Sequence, residues 1–270
     1  MSNGFWAVPF DGSAAAMAVS AVVAVVAAVR GVWSPCGLSM IAAINPMTER
    51  SRGNRYWLTA CWYVVGALVG GAVLGAGAAL GAGAFGLLGV GPGVVAVLAA
   101  FCCLVTAAAD TEGVPVTLPL HPRQVNERWL SRYRRWIYAS GFGIQIGSGF
   151  ATYIMTAAVY LTAALAILSG APWWALALGL VFGAVRGSAV VLTARIGDGA
   201  ALMRLHRTLA ALTPVSVRVA IAVQLAAAPV LMSIGAGGTA AAFVVLPVAV
   251  IGTVAWRSGR AGVLDPRPAR

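Results

Sequence analysis

Long apolar stretches alternate with short polar or glycine-rich connections along the whole chain. Seven of the stretches approach the roughly 20 residues that a helix needs to cross about 30 Å of hydrocarbon at a 1.5 Å rise. They run from Ala14 to Pro46, Tyr56 to Ala79, Val94 to Ala109, Ile137 to Ser169, Trp173 to Val191, Val217 to Ile234 and Thr239 to Trp256. The expected fold is all-α: a polytopic integral membrane protein of about seven transmembrane helices. The first stretch is too long for an upright span, since helix throughout would reach about 50 Å. Its middle, VRGVWSPCGLSM, also holds an arginine, a proline, a cysteine and two glycines. Pro35 cannot donate a backbone hydrogen bond and disfavours helix at Ser34, so this stretch is expected to break there.

Composition agrees with the pattern. Hydrophobic residues make up 60 % of the 270 and charged residues 9 %, too little polar surface to cover a soluble globule. The formal net charge of +11 comes from 18 basic residues, all arginine. Their placement argues for membrane topology and against nucleic acid. Arg50, Arg52 and Arg55 follow the first stretch; Arg123, Arg128, Arg132, Arg134 and Arg135 separate the third from the fourth. Arg195, Arg204, Arg207 and Arg218 precede the sixth or open it, and Arg257, Arg260, Arg267 and Arg270 end the chain. The alternate connections GAFGLLGVGPG, SGAP and GAGG carry none. Positive charge collects in cytoplasmic loops, so the N-terminus is expected outside and the C-terminus in the cytoplasm of a multi-pass protein of the cell membrane. The segment RQVNERWLSRYRRWIY is expected to lie along the interface as a basic helix anchored by Trp129, Tyr133 and Trp136. No cleavable signal peptide is expected, since the N-terminal residues carry no basic region and the first apolar run leads into the motif rather than to a cleavage site.

An internal match suggests a repeat. GALVGGAV, Gly66 to Val73, and GAVRGSAV, Gly183 to Val190, agree at five of eight positions. The two octets fall in the second and fifth stretches, which run in opposite directions, as in the inverted repeats of secondary transporters. The expected organisation is residues 1–109 as one three-helix repeat, 110–136 as a cytoplasmic basic amphipathic loop, 137–236 as the second repeat, and 237–270 as an extra helix with a cytoplasmic tail. The fourth stretch is interrupted by Gly141, Gly143, Gly147 and Gly149 and carries Gln145, Ser148 and Thr152. Irregular backbone at membrane depth is tolerated only inside protein or beside water. Matching breaks in two halves point to a central site between them. Cys36 and Gln145 each lie about ten residues from the arginine-rich end, on the order of 15 Å deep.

Ser34-Pro35-Cys36-Gly37-Leu38, followed by Asn45-Pro46 and a charged loop, resembles the first-span motif of the thiol-disulfide electron transporters of the cytochrome c biogenesis and DsbD transmembrane-domain kind, within the LysE-like transporter superfamily. The resemblance implies two inverted three-helix repeats. It also implies passage of reducing equivalents from a thioredoxin-like protein in the cytoplasm to a thiol protein outside. Of that family's residues, Pro35 and Cys36 find their places. The family's second cysteine belongs in the fourth span, where this chain has none. A lone cysteine forms a mixed disulfide but cannot close an internal bridge. Cys102 and Cys103, in the third stretch, lie at a depth that could meet Cys36. Cys61 lies near the cytoplasmic end of the second stretch.

Two arginines weigh on the choice of chemistry. Arg186 lies inside the fifth stretch, where burial costs at least about 2.5 to 3.5 kcal/mol, so it is expected to face the interior. No acidic residue falls inside the stretches as drawn. Its partner is then a backbone carbonyl, the Cys36 thiolate or a bound anion. Arg30 raises the same question, with snorkelling as an alternative. If Arg186 meets Cys36, it favours the nucleophilic thiolate and redox exchange. If it meets Gln145, Ser148 and Thr152, it suits a secondary transporter or exporter of a small anionic or zwitterionic solute. A third alternative is a non-catalytic accessory subunit. No metal site is expected, since His121 and His206 lie in loops and no Cys-x-x-Cys is present. No cofactor is expected, and neither hydrolase machinery nor a nucleotide loop is found.

Overall fold

The computed structural model describes residues 14–112, 114–116 and 129–264, and the regular elements among them are all helical. In chain order they are α1 (Ala14–Arg30), α2 (Pro35–Ala43), α3 (Pro46–Ser51), α4 (Tyr56–Leu87), α5 (Pro92–Asp110), α6 (Trp129–Arg132), α7 (Arg135–Ser148), α8 (Ala158–Leu168), α9 (Pro172–Ser188), α10 (Gly199–Ala236) and α11 (Gly238–Leu264). Prolines at the start of α2, α3, α5 and α9 sit where a missing N–H does no harm. Six segments are long and apolar enough to cross a membrane: Ala14–Trp33, α4, α5, Pro172–Thr193, α10 and Gly238–Arg257. The chain is a multi-pass membrane protein.

The first stretch breaks where proline required it, after a short 3-10 turn over Gly31–Trp33. The fourth does not form one helix. It divides into α7 and α8, with residues 149–157 irregular between them, and neither piece alone is long enough to span. Gly149, at φ +72°, ends α7 in a backbone conformation that glycine adopts freely. The third helix runs on to Asp110, one residue past the expected Ala109, and so acquires a carboxylate at its end. The sixth begins at Gly199 rather than Val217 and carries His206, which was expected in a loop, on a helix. Of the expected basic interfacial helix, residues 123–128 lie outside the described residues. The remainder divides between α6, whose Trp129 ring meets Tyr133 edge-on at 5.7 Å, and the start of α7.

Glycines determine how the bundle closes. One face of α4 packs on α7 and another on α9, and at each crossing glycine brings backbone to backbone. A Cβ on Gly66 would overlap the Ser140 carbonyl, and one on Gly143 the Tyr63 carbonyl. On the other face Gly71 lies against Gly179 and Gly183, while Gly183 lies against Ala67 and Gly71. Close approach of this kind replaces the hydrophobic drive that is missing between helices in lipid. By contrast α11 packs at the margin of the bundle, on α10 and α5, with only 6 % of its spanning window buried.

A dense polar knot fixes the end of the first broken stretch. Asn45 donates from Nδ2 to the Ile41 and Ala42 carbonyls at 3.1 and 2.9 Å, and its Oδ1 accepts from Thr48 N at 3.0 Å. It thus ends α2 and starts α3 with a capping box. The next turn delivers Glu49, fully buried, which accepts from Thr59 at 2.6 Å, Tyr138 at 2.8 Å and Arg52 at 3.0 Å. One carboxylate therefore ties α3 to α4 and α7. Replacing Asn45 with alanine is expected to cost about 1 to 2 kcal/mol, since donors and acceptors are lost at both helix ends; a denaturant midpoint in detergent measures it.

Candidate functional site

Local chemistry builds the first half of the site. Ser34 is extended (φ −66°, ψ 153°); its Oγ accepts from Gly37 N at 3.0 Å and donates to the Gly31 carbonyl at 2.7 Å. That hydroxyl closes the end of one helical segment and caps the start of α2. Pro35 takes the first helical position, so Cys36 follows in the first turn, at the positive end of the helix. The cysteine is 1 % exposed and belongs to a core that includes Met40, Ile41, Tyr63, Tyr138 and Phe142.

Arg186 supplies the second half. It is 3 % exposed, donates from Nη2 to the Gly31 carbonyl at 3.4 Å, and packs so closely on Gly31 that a Cβ there would overlap the guanidinium. Cys36 and Tyr63 both lie within its electrostatic reach. Its guanidinium stands 5.6 Å from the centroid of Phe182, one helical turn earlier. The same Phe182 ring lies against Gly149, and Ile154 of the irregular segment between α7 and α8 belongs to the same core cluster. Both breaks therefore converge on a single turn of α9. Among the described residues no carboxylate forms an ion pair with Arg186. Two hydroxyls, Tyr63 Oη and Thr152 Oγ1, are buried without a hydrogen-bond partner, and each forfeits about 1 to 3 kcal/mol while it remains so.

Among the described residues no hydrogen bond joins Arg186 to the other residues expected at the site. Gln145 is half-buried on α7, and the Arg186 guanidinium bonds to the Gly31 carbonyl rather than to its amide. Ser148 donates to the Gln145 carbonyl at 2.8 Å and edges an apolar cavity of about 550 Å³ between α4 and α8. None of the four cysteines, all among the described residues, forms a disulfide. Cys103, with Cys102 beside it, packs in a second core built by α5, α8 and α10, apart from the core of Cys36. Arg30 is buried and does not snorkel. It stacks 5.9 Å from Trp33 and lines a different cavity, of about 160 Å³, with Asp110, Glu112 and Thr156. Sequence reasoning missed Tyr63 and Phe182, which read as ordinary core aromatics, and Asp110 and Gln224. Asp110 had a signal: it is the first acidic residue after a long run of uncharged ones, and one more residue of helix brings it inside.

Fold and site together define a multi-pass helical membrane protein with a buried thiol and a buried guanidinium that no described carboxylate neutralises, beside two broken segments. Residues of this chain are 33 % identical over 156 positions to methylamine utilization protein MauF of Paracoccus versutus, covering 56 % of this chain and 55 % of that protein. The MauF proteins of Methylorubrum extorquens and Paracoccus denitrificans are 31 % and 29 % identical, over 57 % and 61 % of this chain and 54 % and 60 % of theirs. The chain thus spans about half the length of the curated relatives it matches. No family model and no solved structure matches.

Proposed function

We propose that the protein is a membrane thiol-disulfide carrier in which Cys36 alone relays reducing equivalents from a thioredoxin-like dithiol protein on the cytoplasmic side to a disulfide-bearing protein outside. The observation that supports it most is the surroundings of Cys36, which lies in the first turn of α2 and within electrostatic reach of the Arg186 guanidinium. Both present positive potential to the charge that moves on and off sulfur during exchange. No second cysteine shares this core, so the partners must supply the resolving thiols. The Cys36 thiolate attacks the outer disulfide and releases one of its sulfurs as a thiolate. A thiolate of the inner dithiol attacks the Cys36 sulfur of the mixed disulfide, which frees the outer partner fully reduced. The second inner thiolate then closes the inner disulfide and releases Cys36. Two electrons pass outward, with the two protons lost by one dithiol gained by the other.

In this reading α7, the irregular segment and α8 together make a fourth crossing, giving seven, with the arginine-rich connections in the cytoplasm. The inverted repeat gains support from register. Setting Gly66 on Gly183 also sets Arg30, the end of α1, on Gly147 at the end of α7, and Tyr56, the start of α4, on Trp173 at the start of α9. The octets themselves meet face to face. The likeness to methylamine utilization proteins suggests growth on methylamine as a cellular readout.

The test uses vesicles loaded with a chromogenic disulfide and supplied outside with reduced thioredoxin, the protein selected for cytoplasmic-end-out insertion. Wild type is expected to colour the lumen and Cys36→Ser to remain at background. A second reading, export of a small anionic or zwitterionic solute bound at Arg186, draws on the unpartnered hydroxyls of Tyr63 and Thr152. Growth retained by Cys36→Ser but lost with Arg186→Gln would favour export over redox relay.

A further inference from the structure

The cavity of about 160 Å³ is lined by one cation and two carboxylates: Arg30 from the end of α1, Asp110 from the end of α5, and Glu112 just beyond it. Asp110 is held on three sides. Its Oδ1 accepts from Ala157 N at 2.7 Å, and its Oδ2 accepts from Thr156 Oγ1 and from Gln224 Nε2, the latter at 2.8 Å. These donors fix its orientation and leave Oδ1 a lone pair to spare. Arg30 is fixed as well, since its guanidinium stands 5.9 Å from the centroid of Trp33, whose Nε1 donates to the Leu209 carbonyl at 2.8 Å. Although Arg30 is only 6 % exposed, its Nη1 has no hydrogen-bond partner in the protein. Asp110 lies within its electrostatic reach, but among the described residues no ion pair joins the two. A buried donor and a carboxylate with acceptor capacity thus line one cavity without closing on each other.

We propose that this cavity binds a small α-amino acid, glycine or alanine, as its zwitterion, with the ligand carboxylate on Arg30 Nη1 and the ammonium group on Asp110 and Glu112. Charge selects the class. A simple anion would meet two carboxylates, and a simple cation would meet the Arg30 guanidinium and leave its donor unpartnered. A molecule that carries both signs gives each group a charge-assisted partner. Size and lining narrow the choice. At about 30 Å³ for each water-sized group the cavity has room for about five, which is a glycine without its hydrogens. The remaining walls include Met155, Val217 and Ala220, which offer a ligand side chain only apolar surface. The Thr156 hydroxyl is already engaged, donating to Asp110 and accepting from Ala158 N at 3.2 Å. Hydrogen or methyl on the ligand Cα suits these walls, and a larger or polar substituent does not.

A ligand seated here would touch side chains of α1, α5 and α10 together with the residues that open α8. Neither Arg186 nor Cys36 lines this cavity. The site is therefore distinct from the one proposed for thiol relay, and its occupation does not depend on whether Cys36 turns over.

The experiment equilibrates the full chain in detergent micelles with radiolabelled glycine across a dialysis membrane. Wild type is expected to bind glycine saturably and to release it to unlabelled alanine but not to leucine. Methylammonium and acetate, which each carry one of glycine's two charges, are expected to compete at least about tenfold less well, since each makes only one of the charge-assisted contacts. Arg30→Gln is expected to weaken glycine binding by about tenfold or more for the same reason. Glu112→Gln, at an exposed position, is expected to weaken it by about threefold, because solvent screens that charge. Arg186→Gln is expected to bind glycine as wild type does. Absence of saturable binding overturns the proposal, as does methylammonium or acetate competing as well as glycine, which would make this a plain cation or anion site. Binding lost with Arg186→Gln but kept by Arg30→Gln also overturns it and would place the zwitterion at Arg186. If Arg30→Gln does not accumulate, the competitor series with Glu112→Gln and Arg186→Gln decides.

Discussion

Arg186→Met is expected to abolish thiol relay, by a factor on the order of 10² or more, while leaving the protein as stable as wild type or more so. The two halves of this result come from the same fact. A guanidinium 3 % exposed, held by one long hydrogen bond to a carbonyl and paired with no described carboxylate, has not recovered the free energy of its dehydration. Methionine of similar length fills the space between Gly31 and Phe182 without that penalty, and such replacements elsewhere are neutral or stabilising by roughly 1 to 4 kcal/mol. What disappears is the positive potential at Cys36. Arg186→Lys is expected to restore charge but not rate, because a point charge on a flexible stem cannot lie flat on Gly31 as the planar group does. Melting in detergent and the vesicle assay, performed on the same preparations, give both readouts. A less stable Arg186→Met protein that still relays at the wild-type rate would make Arg186 a structural residue.

Gly71→Leu is expected to prevent the bundle from closing, at a cost of about 3 kcal/mol or more, whereas Gly77→Leu six residues along the same helix should be neutral or slightly stabilising. A Cβ on Gly71 would overlap the Gly179 carbonyl and the Gly183 backbone, and no flexible side chain is there to yield. The helices would have to separate, and the close packing of α4 on α9 would be lost along their length. At Gly77, which edges the cavity between α4 and α8, a Cβ would have nothing within 4 Å, so added bulk enters open space and only the helix propensity changes. Size-exclusion profiles and thermal midpoints of the two variants separate these outcomes. Equal behaviour of the pair would mean that the α4–α9 crossing does not carry the fold.

The sequence alone was enough to put the chain in a membrane and to locate its first break. Composition and run length are sums over many residues, and proline acts on its own backbone, so neither needs tertiary information. The pairing of Arg186 with Cys36 was legible as one of two alternatives, because a buried cation in a long apolar helix must face inward and the same segment matched the second stretch. The bundle seats Arg186 on Gly31, within electrostatic reach of Cys36. The glycine faces of α4 bring α7 and α9 to fixed distances, and that geometry delivers Arg186 to Gly31 and Cys36 and leaves Gln145 aside.

The separation of Cys103 from Cys36 was likewise decided in space, since similar depth says nothing about which neighbour a helix turns toward. Asp110 shows the same division most sharply. Its identity was visible in the chain, but its three donors come from α10 and the residues that open α8, far away in sequence. Which residues can be buried is set by their own chemistry, and which ones meet is set by how closely backbones approach.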